Sequence, residues 1–220
     1  MKDIPVIRGR NYIASLVAEG EHVHQDFKFV ISDARKIARS ISAFANADGG
    51  RLLIGVKDNG TLAGVRNDED IYVIEQAAER YCDPPQNVEF TAFRIDPATV
   101  VIRASIPQAA SRPVRAQEPD GRWRAYYRVA DENIAAHPLM ERAWIERERG
   151  SLTLRLDGDA SRLLALLAES AGGLEVRDVA LGLAISERRA ENMIVKLAAA
   201  GVIGFAYHAP RFMIVAGEGL

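Results

Sequence analysis

Residues 37–64 read IARSISAFANADGGRLLIGVKDNGTLAG, and the reading of this stretch decides the fold of the first half of the chain. Ala34, Ile37, Ala38, Ile41, Phe44 and Ala45 recur at three- and four-residue spacing, which puts them on one face of a helix. Ser32 or Asp33 precedes the run and is placed to accept its first free N–H groups. Asp48-Gly49-Gly50 ends it, because glycine takes the left-handed conformation without a Cβ clash. The apolar run Leu52-Leu53-Ile54-Gly55-Val56 then predicts a strand buried on both faces. Asp58-Asn59-Gly60 predicts a hairpin turn with Asn59 and Gly60 at positive φ, and Leu62, Gly64 and Val65 begin the return strand.

Working outward, an acidic residue followed by Phe-Lys precedes this unit as Asp26-Phe27-Lys28. The helix closes as Ala-Phe-Ala-Asn-x-x-Gly-Gly (residues 43–50) and the strand-turn reads Leu-Ile-Gly-Val-x-Asp-x-Gly (residues 53–60). Tyr81-Cys82-Asp83-Pro84-Pro85, Arg112-Pro113 and Tyr126-Tyr127-Arg128-Val129 follow. Over residues 10–135 this string resembles the Schlafen-type AlbA-like DNA-binding domain family. The resemblance implies an α+β fold, a mixed sheet with packed helices, and a nucleic-acid partner.

The remaining pattern adds elements on both sides. Residues 12–19 predict a helix with Ile13, Leu16 and Val17 inward. Residues 21–30 alternate, so they predict a half-buried strand with Val23, Gln25, Phe27 and Phe29 on one face and His22, His24, Asp26 and Lys28 on the other. A helix over residues 68–81, strands over 87–95 and 99–106, a hairpin over 114–129 and a charged helix over 137–149 complete the first half. The expected first domain is residues 1–150, with a linker or bridging strand over 150–159. Residues 158–220 then predict three helices and a short hairpin, starting at Ser161, Val176 and Glu187, with the hairpin around His208-Ala209-Pro210. That order and those lengths match a winged helix-turn-helix.

Composition narrows the classes. In 220 residues, 48% hydrophobic and 26% charged content describes an ordinary globular chain, with no apolar run as long as a membrane span. The expectation is a cytoplasmic protein, since residues 1–10 carry no secretion pattern. The single Cys82 excludes an intrachain disulfide and a multi-cysteine zinc site, and reads as a packed thiol. The net charge of −2 argues against a bulk electrostatic binder of nucleic acid. Arg94, Arg103, Arg112, Arg115, Arg122, Arg124 and Arg128 nevertheless concentrate in one strand-rich region, which predicts either a basic face or a solvated charged surface.

Several constellations could carry chemistry. At the start of the third C-terminal helix, Arg188, Arg189 and Asn192 are the residue types that pair with guanine and adenine edges in the major groove. Tyr207, His208 and Arg211 would stand at the wing, and Arg112, Arg115 and Arg124 are further contacts to nucleic acid in the first half. Glu187 and Glu191 oppose phosphate there, and winged helices also serve as dimerisation modules. A second constellation is acidic. The family resemblance associates Glu21, Asp26, Lys28 and Asp58 with nuclease chemistry, the three carboxylates holding Mg²⁺ or Mn²⁺. Asp26 stands where the family usually has Glu, and strict alternation puts Glu21 on the opposite strand face. His22 and His24 could join Asp26 as ligands, or simply face solvent. Gly49, Gly50 and Gly55 follow a helix instead of preceding one, so they read as packing glycines and not as a phosphate loop. Asn46, in the last helical turn, is a candidate ligand contact or a turn cap.

The reading is therefore a nucleic-acid-binding protein of double-stranded DNA, acting in transcriptional regulation without a cofactor and pairing as a homodimer. The alternatives are a metal-dependent nuclease of RNA or DNA, and a dimerising interaction scaffold.

Overall fold

The computed structural model describes residues 4, 6–66, 68–150 and 157–217. In chain order the elements are β1 (Val6–Arg8), α1 (Arg10–Glu19), β2 (Gln25–Lys28), α2 (Ala34–Asn46), β3 (Gly50–Ile54), α3 (Glu69–Arg80), β4 (Cys82–Asp83), β5 (Glu89–Arg94), β6 (Val100–Ile106), β7 (Arg115–Gln117), β8 (Trp123–Val129), β9 (Glu132–Ala135), α4 (Pro138–Glu148), α5 (Gly158–Glu169), α6 (Val176–Leu183), α7 (Glu187–Ala199), β10 (Ile203–His208) and β11 (Arg211–Ala216). This is an α+β fold. Packing divides it into two compact units, Met1–Ala135 and Ala136–Leu220. The division precedes α4, so α4 belongs with the C-terminal helices and not with the expected domain of residues 1–150. Most of the expected linker, residues 151–156, lies outside the described residues.

In the first unit, a five-stranded mixed sheet runs β1-β5-β6-β3-β2 and a four-stranded antiparallel sheet runs β4-β7-β8-β9. β1 with β5 and β2 with β3 are the parallel pairs. Helix α2 is the common element of the core: Ile41 and Phe44 share one apolar cluster with Leu52 and Ile54 of β3 and with Ala116 and Tyr126 of the second sheet. Every residue from Ser40 to Asn46 is buried, so the C-terminal half of α2 is enclosed on all sides, while Lys36 in its first turn is exposed. Its small residues, Ser40, Ser42, Ala43 and Ala45, admit neighbours from several directions. The opposite face of the first sheet packs Phe27, Leu53, Phe93 and Val101 against Ile13 and Leu16 of α1.

The local signals work as chemistry predicts. Asp33 caps α2, its Oδ1 accepting the N–H of Arg35 at 2.9 Å and of Lys36 at 3.3 Å. Glycine is required at Gly50, where a Cβ would collide with the Phe44 ring. The turn after β3 differs in type from the expected one. The Gly60 N–H donates to Lys57 O at 2.7 Å, which makes Asp58 and Asn59 the central pair. Only Gly60 has positive φ, at +79°, so the chain makes a three-residue loop that Gly60 closes.

The alternating strand over residues 21–30 is also revised. Only Gln25–Lys28 is strand, and residues 21–24 form a turn closed by reciprocal backbone bonds between His22 and Gln25, both 3.0 Å. Gln25, Asp26 and Phe27 are all buried, because one face of β2 meets the α1 side and the other faces Arg128 of β8. The edge strands β1 and β9 carried too short a pattern to be seen in the sequence.

The second unit packs Leu139 and Ala143 of α4, Leu163 and Leu167 of α5, Val179 and Leu183 of α6, and Ala190, Ile194 and Leu197 of α7 into one core with Ile203 and Ile214. Asp157 caps α5, accepting the Ala160 N–H at 2.9 Å, and Ser186 caps α7, accepting the Arg189 N–H at 3.3 Å. β10 and β11 pair antiparallel from Ile203↔Ala216 to His208↔Arg211. Leu174, between α5 and α6, bonds Ile214 through both backbone groups at 2.9 and 2.8 Å, adding one residue of a third strand. No helix among the described residues is long and apolar enough to cross a membrane.

Candidate nucleic-acid interface

On α7 the apolar stripe of Ala190, Ile194 and Leu197 is spent on the core, and the first turn is left exposed. Arg188 is exposed there and makes no described ion pair. Arg189 reaches back to Asp159 at 2.7 Å. Asn192 is not an open base reader: its Oδ1 accepts from Arg142 of α4 at 2.8 Å, and the same guanidinium bonds Glu191 at 2.9 Å. Helix α4 thus covers the second turn of α7 and leaves the first. On the hairpin, His208 is exposed at the tip, Tyr207 packs its ring on Phe212 at 4.9 Å, and Arg211 bonds Glu175 at 2.5 Å.

The acidic residues of the first unit assemble only in part. Glu21 lies before β2, so the alternation rule does not apply to it, and its side chain meets that of Asp26. Its Oε1 accepts the Phe27 N–H at 2.7 Å. Burial and the bond to Asp26 push the Glu21 carboxyl above its ordinary value. Asp26 is already matched by cations, Lys28 at 2.7 Å and Arg128 at 3.9 Å. Asp58 stays away. Asp26 registers with Leu52, whereas Asp58 sits in the turn beyond the end of β3. Among the described residues no group of three or more His, Cys, Asp or Glu side chains could hold a metal ion. The set Glu21, Asp26 and Asp58 therefore does not fit Mg²⁺ or Mn²⁺, which require several converging oxygens.

The histidines also differ from expectation. His22 Nδ1 accepts the His24 N–H at 3.2 Å within the turn, and His24 Nδ1 faces Gly49 O at 3.2 Å beyond the end of α2. Cys82 is a buried thiol pushed up to about 12 by burial, with Sγ directed at Ala38 O at 3.7 Å. That supports the packed-thiol reading.

Asn46 is the clearest revision. It is fully buried and its carboxamide is saturated by protein. Oδ1 accepts the Val114 N–H, and Nδ2 donates to Val114 O and Tyr126 O, each at 2.8 Å. One turn earlier, Ser42 Oγ donates to Val114 O at 2.8 Å and accepts the Tyr126 N–H at 3.0 Å. No atom of the carboxamide is left for a ligand.

This enclosed Asn46, set between helix α2 and the Gly49–Gly50 turn, is the centre of a domain whose sequence matches a known family over residues 21–137, described as Schlafen, AlbA_2. The chain belongs to the Schlafen AlbA_2 family. Membership makes the first unit a nucleic-acid-related domain. No curated protein matches the chain. Among solved structures, a protein from Corynebacterium diphtheriae is 19% identical, with a TM-score of 0.45 over 91% of this chain. The chain spans 37% of the length of that protein. The N-terminal domain of a RecG-related protein from Nitrosomonas europaea is 18% identical, with a TM-score of 0.40, over 60% of this chain and 97% of that domain.

Within the Schlafen AlbA_2 domain the arginines of the strand-rich region differ in exposure and in partners. Arg128 is 2% exposed and donates to His22 O, Gln25 O and Asn133 Oδ1, with its guanidinium 4.9 Å from the Phe44 ring centroid. Arg112 donates to Asn46 O at 3.0 Å, at the C-terminus of α2. Arg115 registers beside Asp83, and Arg124 is exposed on β8. Sequence reasoning grouped these side chains because they are near in the chain, while strand alternation turns Arg115 and Arg124 to opposite faces of one sheet and burial withdraws Arg128. It also overlooked Arg8 and Arg10, which the fold brings beside Arg94.

Proposed function

We propose that this Schlafen AlbA_2 protein is a DNA-binding regulator of transcription whose C-terminal unit is a winged helix. The order α5, the single-residue strand at Leu174, α6, α7, β10 and β11 supports that reading. The observation that carries it is the exposed first turn of α7, with Arg188 outward and the opposite face buried. A helix presents its N-terminal side chains to base edges in the major groove, where arginine pairs with guanine O6 and N7. His208 at the hairpin tip stands where a wing meets the backbone. Asn192 takes part only after Arg142 releases it, so Arg188 is the principal reader. A homodimer acting in the cytoplasm would present two such helices to half-sites about 34–36 Å apart.

The test is a gel shift of purified protein with double-stranded DNA at low salt. The expected result is a shifted, intact duplex, with Arg188→Ala weakening binding at least about tenfold, within the range of one lost bidentate base contact. Unchanged binding in Arg188→Ala contradicts the assignment. A dimer by size exclusion that binds no nucleic acid favours an interaction scaffold instead.

A further inference from the structure

We propose that the hollow formed by Arg8, Arg10 and Arg94 in the first unit is a phosphate-ester site, separate from the α7 surface. Val6, Ile7 and Arg8 of β1 pair in parallel with Ala92, Phe93 and Arg94 of β5. Cα partners in a ladder send their side chains to the same face, so Arg8 and Arg94 stand side by side. Like charges directly opposed across strands are destabilising. Arg10 follows at the first position of α1, and the three arginines line one hollow of about 480 Å³ with Gly9, Asp96 and Pro97.

The counter-charge supplied by the described residues is small. Asp96 is the single carboxylate lining this hollow, and its Oδ1 already accepts the N–H groups of Ala98 at 2.9 Å and Thr99 at 2.8 Å. The Ala98 backbone bond, then one with the Thr99 side chain, then the Thr99 backbone bond and last the nearby Arg10 hold its carboxyl below the ordinary value. Among the described residues no carboxylate forms an ion pair with Arg8 or Arg94. All three arginines are exposed, so a ligand reaches them from solvent. Three guanidinium groups around one cavity match a phosphomonoester dianion, because planar forks donate in pairs to its oxygens. A neutral or cationic ligand would leave the repulsion in place. The dianion has two sources, a small phosphate ester or the 5′-terminal phosphate of a nucleic-acid strand, and the chemistry at the arginines is the same.

The experiment is isothermal titration of the full chain with inorganic phosphate, and of fluorescein-labelled single strands with and without a 5′-phosphate by anisotropy. Arg94→Gln and Arg8→Gln are compared with Arg80→Gln, an exposed arginine at the end of α3 outside the hollow. All are surface changes, and thermal melts confirm folding. The proposal expects saturable phosphate binding that weakens at least about tenfold in Arg94→Gln and Arg8→Gln and is unchanged in Arg80→Gln. A preference for the 5′-phosphorylated strand, lost in Arg94→Gln, assigns the site to a strand terminus. Phosphate binding without that preference assigns it to a small ester. Heat that does not saturate, or equal binding in wild type and Arg94→Gln, overturns the site. Duplex binding through Arg188 is measured separately, so failure of either assignment leaves the other standing.

Discussion

The carboxamide of Asn46 exchanges two hydrogen bonds with the backbone of Val114, N–H to Oδ1 and Nδ2 to O, both 2.8 Å. Val114 precedes β7, and continuing the ladder from Arg115↔Ala125 would set it opposite Tyr126. Those two residues do not bond each other. Ser42 and Asn46, four residues apart on one face of α2, take up all four of their backbone groups. The helix is thereby stitched into the end of the second sheet by side chains that imitate a strand.

Asn46→Ala is therefore a stability variant and not a ligand-binding variant. It leaves the Val114 N–H and the Tyr126 carbonyl without partners in a buried site, at about 1–3 kcal/mol each. Asn46→Asp keeps the acceptor but turns a carboxylate oxygen toward two carbonyls, and is expected to be at least as damaging. Urea unfolding measures both. A loss under about 1 kcal/mol in either would contradict the stitch.

The buried Arg128 joins β8 to the turn before β2. Arg128→Leu removes donors to Gln25 O and His22 O and leaves Asp26 with Lys28 alone. Losing one member of a buried, bonded charge set typically costs about 3–5 kcal/mol. The double variant Arg128→Leu with Asp26→Leu is expected to recover part of that loss, as measured by a double-mutant cycle. Strict additivity of the two single changes would show that the pair is not coupled.

Glu21 makes the stability depend on pH in a stated direction. Its carboxyl is raised above 4.5, first by burial and then by the bond to Asp26. A raised value stabilises the fold below the unfolded value, and that contribution is lost as pH rises through the folded one. Glu21→Gln stays neutral and keeps an oxygen for the Phe27 N–H. It should be more stable than wild type at pH 7, with the gap closing below pH 4.5. Thermal melts across that window check it, and a gap that widens on acidification would refute the assignment.

His137 acts with the opposite sign. Its Nδ1 accepts the Leu139 N–H at 3.2 Å to cap α4, and its ring stacks on Phe205 at 5.9 Å. Burial lowers its pKa below 6.5, against a smaller pull from Glu191. The stability it contributes is present above pH 6.5 and is lost as pH falls through the lowered value. His137→Asn keeps the cap and removes this component. Melting of the variant should therefore lose less stability than wild type between pH 7.5 and pH 5.

Much of the fold was legible in the residues. The α2 period, Asp33, the Gly49–Gly50 stop and the Ser186 cap are local signals, and each lies within a few residues of what it controls. The role of Asn46 was not legible, because its partners lie 68 and 80 residues away. The limits of β2 were not legible for a related reason: the alternation from Glu21 continues through a turn, and only the opposing Arg128 reveals that both strand faces are buried. The arrangement of the acidic residues was legible only in part. Glu21 and Asp26 do meet, but Lys28 and Arg128 neutralise that pair and Asp58 belongs to another end of the sheet.

The central claim, that the first turn of α7 docks on duplex DNA, is tested most directly by anisotropy of a labelled duplex across a salt series. Wild type should lose affinity linearly in log–log form as salt rises, because bound phosphates release counterions. Arg188→Ala together with Arg189→Ala should weaken binding and flatten that slope. A slope and affinity unchanged by the double substitution would place the nucleic-acid contact elsewhere in the molecule.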